Sequence, residues 1–83
     1  MERTEGNSCV IKLNSIEKVK DFVSRVSTFE CDVDIIYGRY VIDGKSVMGI
    51  FSLNLMNPIT AMILSDDEEE LKRFNEMMED FKE

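Results

Sequence analysis

Gly44-Lys45-Ser46-Val47-Met48-Gly49-Ile50-Phe51-Ser52-Leu53 is the stretch whose reading decides the fold of this chain. Lys45 is its only charge, which is too few for a solvated loop. Its apolar residues neither alternate cleanly like a strand nor run far enough for a long helix. Ser46 follows a Gly-Lys turn and precedes a short apolar run split by Gly49. That order reads as an N-capped short helix over Val47–Leu53, the Ser46 hydroxyl covering free backbone N–H groups. Only one side of so short a helix is buried. Ile50 and Leu53 are expected in the core, and Met48 and Phe51 at the surface.

Working outward, Cys31 to Tyr37 is β-branched and aromatic, with Val33, Ile35 and Tyr37 alternating against Asp32 and Asp34. Both aspartates are expected to face solvent. Gly38-Arg39 fits a two-residue hairpin with Gly at the first central position, as a type II′ turn requires. Tyr40-Val41-Ile42 returns antiparallel, and Asp43-Gly44 ends it, with Arg39 and Tyr40 expected at the surface. Downstream, Pro58 restarts the chain into a strand over Ile59–Leu64. The charge-free run 46–64 is long enough to span a bilayer. Asn57-Pro58 breaks it in the middle, and a buried helix-turn-strand unit explains it better.

The N-terminal third begins with a short strand at Val10-Ile11-Lys12-Leu13, with Ser8 as an alternative start. Asn14-Ser15-Ile16-Glu17 then offers a capping box, with Asn14 as N-cap and Glu17 reaching back. Ile16, Val19, Val23 and Val26 recur at helical spacing beside Phe22 and Phe29, so a helix is expected from about Ser15 to Ser27. A second capping box, Ser65-Asp66-Asp67-Glu68, opens a last helix whose early acids suit the helix dipole. Leu71, Phe74, Met78 and Phe81 are its expected buried stripe, with Met77 at the margin. The element order is β-α-β-β-α-β-α. It predicts an α+β open-faced sandwich, a four-stranded antiparallel sheet covered on one face by helices.

Composition bounds what this domain does. Eighty-three residues, 43% of them apolar, make a single domain over 1–83 with a modest core. Residues 1–7 are expected to form a flexible N-terminal segment, without the apolar core of a secretory signal. Cys9 and Cys31 lie in no C-x-x-C pattern and the chain has no histidine, so no metal or cofactor is expected. Two reduced, buried thiols of a cytoplasmic protein are the simpler reading. Of the net charge of −7, residues 66–83 carry −6, from nine acids and three bases. Such an acidic C-terminal helix disfavours nucleic acid and anionic membranes and leaves proteins as the expected partners. Asp66 to Glu70 point around a helix instead of converging, and no nucleophile sits beside a base. The chain does not read as an enzyme.

Three segments and the element order carry a family resemblance. Gly44–Leu53 is similar to the K-S-I-M-G-x-x-S-L signature around the regulatory serine of HPr, the small phosphocarrier of the bacterial phosphotransferase system. Val26-Ser27-Thr28-Phe29-Glu30-Cys31-Asp32-Val33-Asp34-Ile35-Ile36-Tyr37 looks like that family's end of the first helix and second strand. Ser65-Asp66-Asp67-Glu68 looks like the acidic start of its last helix. The resemblance runs from about residue 10 to the end and implies an HPr-like fold.

The departures are equally specific. Phosphocarriers of the family bear the phosphoryl group on a histidine in a G-x-H-A-R-P segment at the start of the first helix. Here that place holds Leu13-Asn14-Ser15-Ile16-Glu17-Lys18. Ser15 stands at a degenerate carrier site, because a serine ester lacks the transfer potential of a phosphohistidine. Glu17 replaces the arginine that would steady the phosphoryl charge. In lacking the histidine and keeping the serine, the chain is similar to regulators of the Crh type. The resemblance then implies phosphorylation of Ser46 by an HPr kinase/phosphorylase and binding of a transcriptional regulator. Val47, Met48 and Phe51 would form the partner-binding patch. Three function classes stay open: a regulatory or protein-binding module, a phosphocarrier using an unrecognised acceptor, and a self-associating scaffold. A monomer or a weak homodimer is expected.

Overall fold

Alternation in Val33-Asp34-Ile35-Ile36-Tyr37 makes β2 (Val33–Tyr37) a strand with one buried face, Val33 and Ile35 being inaccessible to solvent. The structure, a computed structural model, describes residues 7–82. Gly38 has a φ of 61° and Arg39 a negative one, which is the expected type II′ turn. It pairs Tyr37 with Tyr40 and launches β3 (Tyr40–Asp43). On the other side β2 pairs antiparallel with β4 (Ile59–Ile63), which pairs with β1 (Ser8–Ile11). The sheet order is β1-β4-β2-β3, so β1 and β3 are its edges. The run 46–64 forms a short helix, a turn and β4, and no helix among the described residues is long and apolar enough to cross a membrane.

Helices α1 (Ile16–Val26), α2 (Val47–Phe51) and α3 (Glu68–Met78) complete the order, and α3 ends in a 3₁₀ turn over Glu79–Phe81. Val19, Phe22 and Val26 of α1 meet Ile50 of α2, Phe74 and Met78 of α3 and the inward residues of the strands in one core. Two edge-to-face aromatic pairs span it, Phe22–Phe81 with centroids 5.8 Å apart and Phe29–Phe74 at 6.4 Å. Arg25 ties α1 to the C-terminal region. Its guanidinium bonds Asp21 at 3.0 Å, Asp80 at 2.9 Å and the Met77 carbonyl at 2.9 Å, and lies 5.1 Å from the Phe81 ring centre. On the sheet's other face Val10, Thr60, Ile36 and Val41 form one cross-strand row, with Val10 and Val41 exposed. This is the α+β open-faced sandwich expected from the element order.

Several local readings need correction. The N-cap of α1 is Ser15, not Asn14: its hydroxyl accepts the Lys18 N–H at 3.1 Å. Because the helix starts one residue later, Lys18 holds the position a capping-box carboxylate needs, and Glu17 caps nothing. Likewise α3 is capped by Asp67, which accepts the Glu69 N–H at 2.9 Å. Ser65 instead accepts the Asp67 N–H and donates to Glu70 at 2.6 Å. Ile16 is 62% exposed, because helical side chains tilt toward the N-terminus and the first one projects past the helix end. Leu71 and both free cysteines are half-buried at the core's margin. Asp34 is half-buried too, between Met62 and Asp43 on neighbouring strands. The expected N-terminal segment lies outside the described residues except for Asn7, whose carbonyl accepts the Ile63 N–H at 2.9 Å.

At the corner between β3 and α2 the chain passes directly over β2. The Gly44 N–H donates to the Val33 carbonyl at 2.7 Å, and a Cβ on Gly44 would lie 2.7 Å from that same oxygen. Only glycine permits so close a backbone approach. Gly44→Ala is expected to destabilise the protein by roughly 1–3 kcal/mol, the range for forced overpacking, as read by urea titration. A second expectation concerns Asp34, whose carboxyl is pushed above the usual aspartate range by burial and then by Asp32 and Asp43. Folding raises its pKa, so the folded chain binds more protons and stability falls as pH rises through the raised value. Asp34→Asn is expected to increase stability at neutral pH and to flatten that part of the profile, measured by urea titration from acid to neutral pH.

Candidate functional site

Ser46 holds an extended backbone, φ −107° and ψ 105°, and its hydroxyl accepts the Gly49 N–H at 3.1 Å. Its carbonyl accepts the Ile50 N–H and its own N–H donates to the Asp43 carbonyl, both at 3.1 Å. All these bonds are local, which is why the cap was legible from residue order. Gly49 has a tertiary role as well. A Cβ there would lie 2.9 Å from Ile42 Cγ2 and 3.2 Å from the Ser46 hydroxyl oxygen. Glycine therefore lets α2 rest on β3 while the cap stays closed. At the far end Ser52 donates its hydroxyl to the Gly49 carbonyl at 2.6 Å.

Lys45 anchors this helix from the other side. Its ammonium donates to the carbonyls of Phe29 and Cys31, each at 2.8 Å, while its N–H donates to the Asp43 carboxylate at 2.9 Å. The lysine is thus turned toward the segment joining α1 to β2. Nothing in the residue pattern signalled this tether, because its acceptors are main-chain atoms distant in sequence.

Along α2, Ile50 is fully buried, whereas Met48 is 79% and Phe51 38% exposed. Those three placements match the expectation. Val47 is half-buried against the core. Leu53 is half-buried, not a core residue, since it lies beyond the last helical residue and only leans on the core. At the start of α1, Ser15 and Glu17 are both exposed, and Ser15 is occupied as the helix cap.

The thiols are poorly activated. Burial outweighs nearby Lys82 and holds Cys9 above the usual thiol range. Cys31 is raised by burial and then by Glu70, to which its Sγ lies at 3.7 Å. Among the described residues, no three His, Cys, Asp or Glu side chains are grouped to hold a metal ion.

No family model matches the sequence, and a search of curated proteins finds no match either. Solved structures do match. HPr-C-His from Thermoanaerobacter tengcongensis superposes with a TM-score of 0.69 at 25% identity, over 87% of this chain and 90% of that one. The phosphocarrier protein HPr from Bacillus anthracis str. Ames gives 0.65 at 20% identity, over 90% of this chain and 95% of that one. The fold is HPr-like. The sequence with this fold contains no histidine.

Ser46→Ala removes the oxygen that accepts the Gly49 N–H. It is expected to cost about 1 kcal/mol, which lowers Tm by roughly 4–8 °C in a domain of this size. Ser46→Asp keeps an acceptor at the cap and is expected to retain most of that stability in the same thermal melt.

Proposed function

We propose that this protein is a non-enzymatic, HPr-like regulatory or protein-binding module without phosphohistidine carrier activity, acting in the cytoplasm through α2 and regulated by phosphorylation of Ser46. One observation carries this reading: Ser46 heads a helix that presents Met48 and Phe51 to solvent, while the start of α1 has Ser15, Ile16, Glu17 and Lys18 and no histidine. An exposed methionine and phenylalanine adapt readily to a protein partner. Phosphate on Ser46 adds a charge of roughly −1.5 to −2 at neutral pH beside that patch. Lys45 is engaged with backbone carbonyls, so a cation matching the phosphate comes from the partner, where arginine is the best donor. Val47, Met48 and Phe51 are then the contact residues. The kinase is of the HPr kinase/phosphorylase type, and the phosphorylated form binds a transcriptional regulator.

Incubation with an HPr kinase and ATP tests this by intact-mass measurement. The expected result is a single phosphoryl group, absent from Ser46→Ala and retained in Ser15→Ala. A parallel reaction with phosphoenolpyruvate and enzyme I is expected to leave the protein unmodified. No phosphate in the first reaction, under conditions that modify an ordinary HPr, sinks the regulatory reading. Acid-labile phosphate in the second sinks the claim that carrier activity is lost.

A further inference from the structure

The free edge of β3 is self-complementary, and we infer that it pairs two copies of this chain into a weak two-fold dimer with a continuous eight-stranded sheet. The strand ends the sheet, with Tyr40 61% and Val41 64% exposed; it contains no proline, and its one charge, Asp43, is its last residue. Its hydrogen-bonding phase follows from the hairpin. Tyr37 and Tyr40 close a two-residue turn and so form a hydrogen-bonded pair, as do Ile35 and Ile42. Val41 lies between them and turns its N–H and C=O outward.

A two-fold axis perpendicular to the sheet keeps both copies' faces aligned, so opposed residues must share a face. Centred on Val41, the axis places Val41 opposite Val41 of the second copy, each giving one N–H and taking one in return. Tyr40 then stands opposite Ile42 of the second copy, and Arg39 opposite Asp43 of the second copy, both pairs occurring twice. The charges match. Arg39 has no ion-pair partner among the described residues, and Asp43 uses only one carboxylate oxygen, to accept the Lys45 N–H. Tyr40 and Ile42 also line a groove of about 310 Å³, with Tyr37, Ser52, Leu53 and Asn54. Tyr40 of the second copy arrives at its mouth, an aromatic ring against a β-branched neighbour.

Electrostatics favours this edge over the other one. The acidic helix α3 packs against β1, at the opposite side of the sheet, which keeps much of the net charge of −7 away from the joint. The contact is small beside the roughly 20–30 residues a side of a standard interface. The dimer is therefore one of high protein concentration. It does not rest on phosphorylation of Ser46.

Sedimentation velocity and amide NMR on the full chain, over a concentration series reaching the millimolar range, test the inference. The expected result is a monomer–dimer equilibrium, with the Val41 amide gaining exchange protection as concentration rises. Val41→Pro removes an outward N–H without touching the β2 ladder and is expected to weaken association about tenfold or more. Arg39→Asp is expected to weaken it as well, and R39D/D43R to restore it, with circular dichroism confirming that each variant is folded. A chain that stays monomeric throughout overturns the inference. So does an association that V41P and the charge reversal leave unchanged.

Discussion

The contact between Gly44 and the first residue of β2 is the constraint on which the rest of the structure depends. The Gly44 N–H reaches the Val33 carbonyl at a distance that a side chain at Gly44 would forbid. One residue on, the Lys45 ammonium joins the carbonyls of Phe29 and Cys31, in the segment between α1 and β2. Together these bonds lock three segments: the exit of β3, the entry to β2 and the connection from α1. Ser46 follows immediately, so its position at the head of α2 is a consequence of that lock. Gly49 closes the arrangement by letting the helix settle on Ile42.

This frame separates two helix starts that one fold places on the same layer. At α1 the cap is an exposed serine followed by an exposed isoleucine, an exposed glutamate and the half-buried Lys18, a first turn without an imidazole. At α2 the cap is a serine backed by a rigid corner and followed by an exposed methionine and phenylalanine. The first start presents polar and charged side chains, the second an apolar pair beside a capping hydroxyl. The charge distribution agrees, since the acids crowd the first turn of α3, where they complement that helix's own dipole.

Much of the fold was legible because its determinants are local. Ser46-Val47-Met48-Gly49-Ile50 carries a cap, a helix and a buried contact within five residues. Gly38-Arg39 carries a turn whose twist suits a hairpin. Errors came where the signal was ambiguous by one or two residues. Asn14 and Ser15 are both competent caps, and so are Ser65 and Asp67; which one serves depends on where the backbone leaves the extended region. Ile16 shared the helical period of Val19 and Val26, but periodicity does not reveal that a helix end overhangs the sheet.

The candidate site divides the same way. Residue order by itself determined the element sequence, the Ser46 cap, the burial of Ile50 and the exposure of Met48 and Phe51, because each follows from spacing along the chain. It also determined that no imidazole is present anywhere. Only the tertiary structure decided that Lys45 faces backbone carbonyls and that Gly44 and Gly49 are places of close approach. It alone decided that β3 ends the sheet with Val41 turned outward. Those facts depend on segments that meet through the sheet order, β1-β4-β2-β3, in which neighbours in space are distant in sequence. A pattern of residue types encodes which face is apolar; it does not encode which carbonyl that face will bring within reach of a lysine.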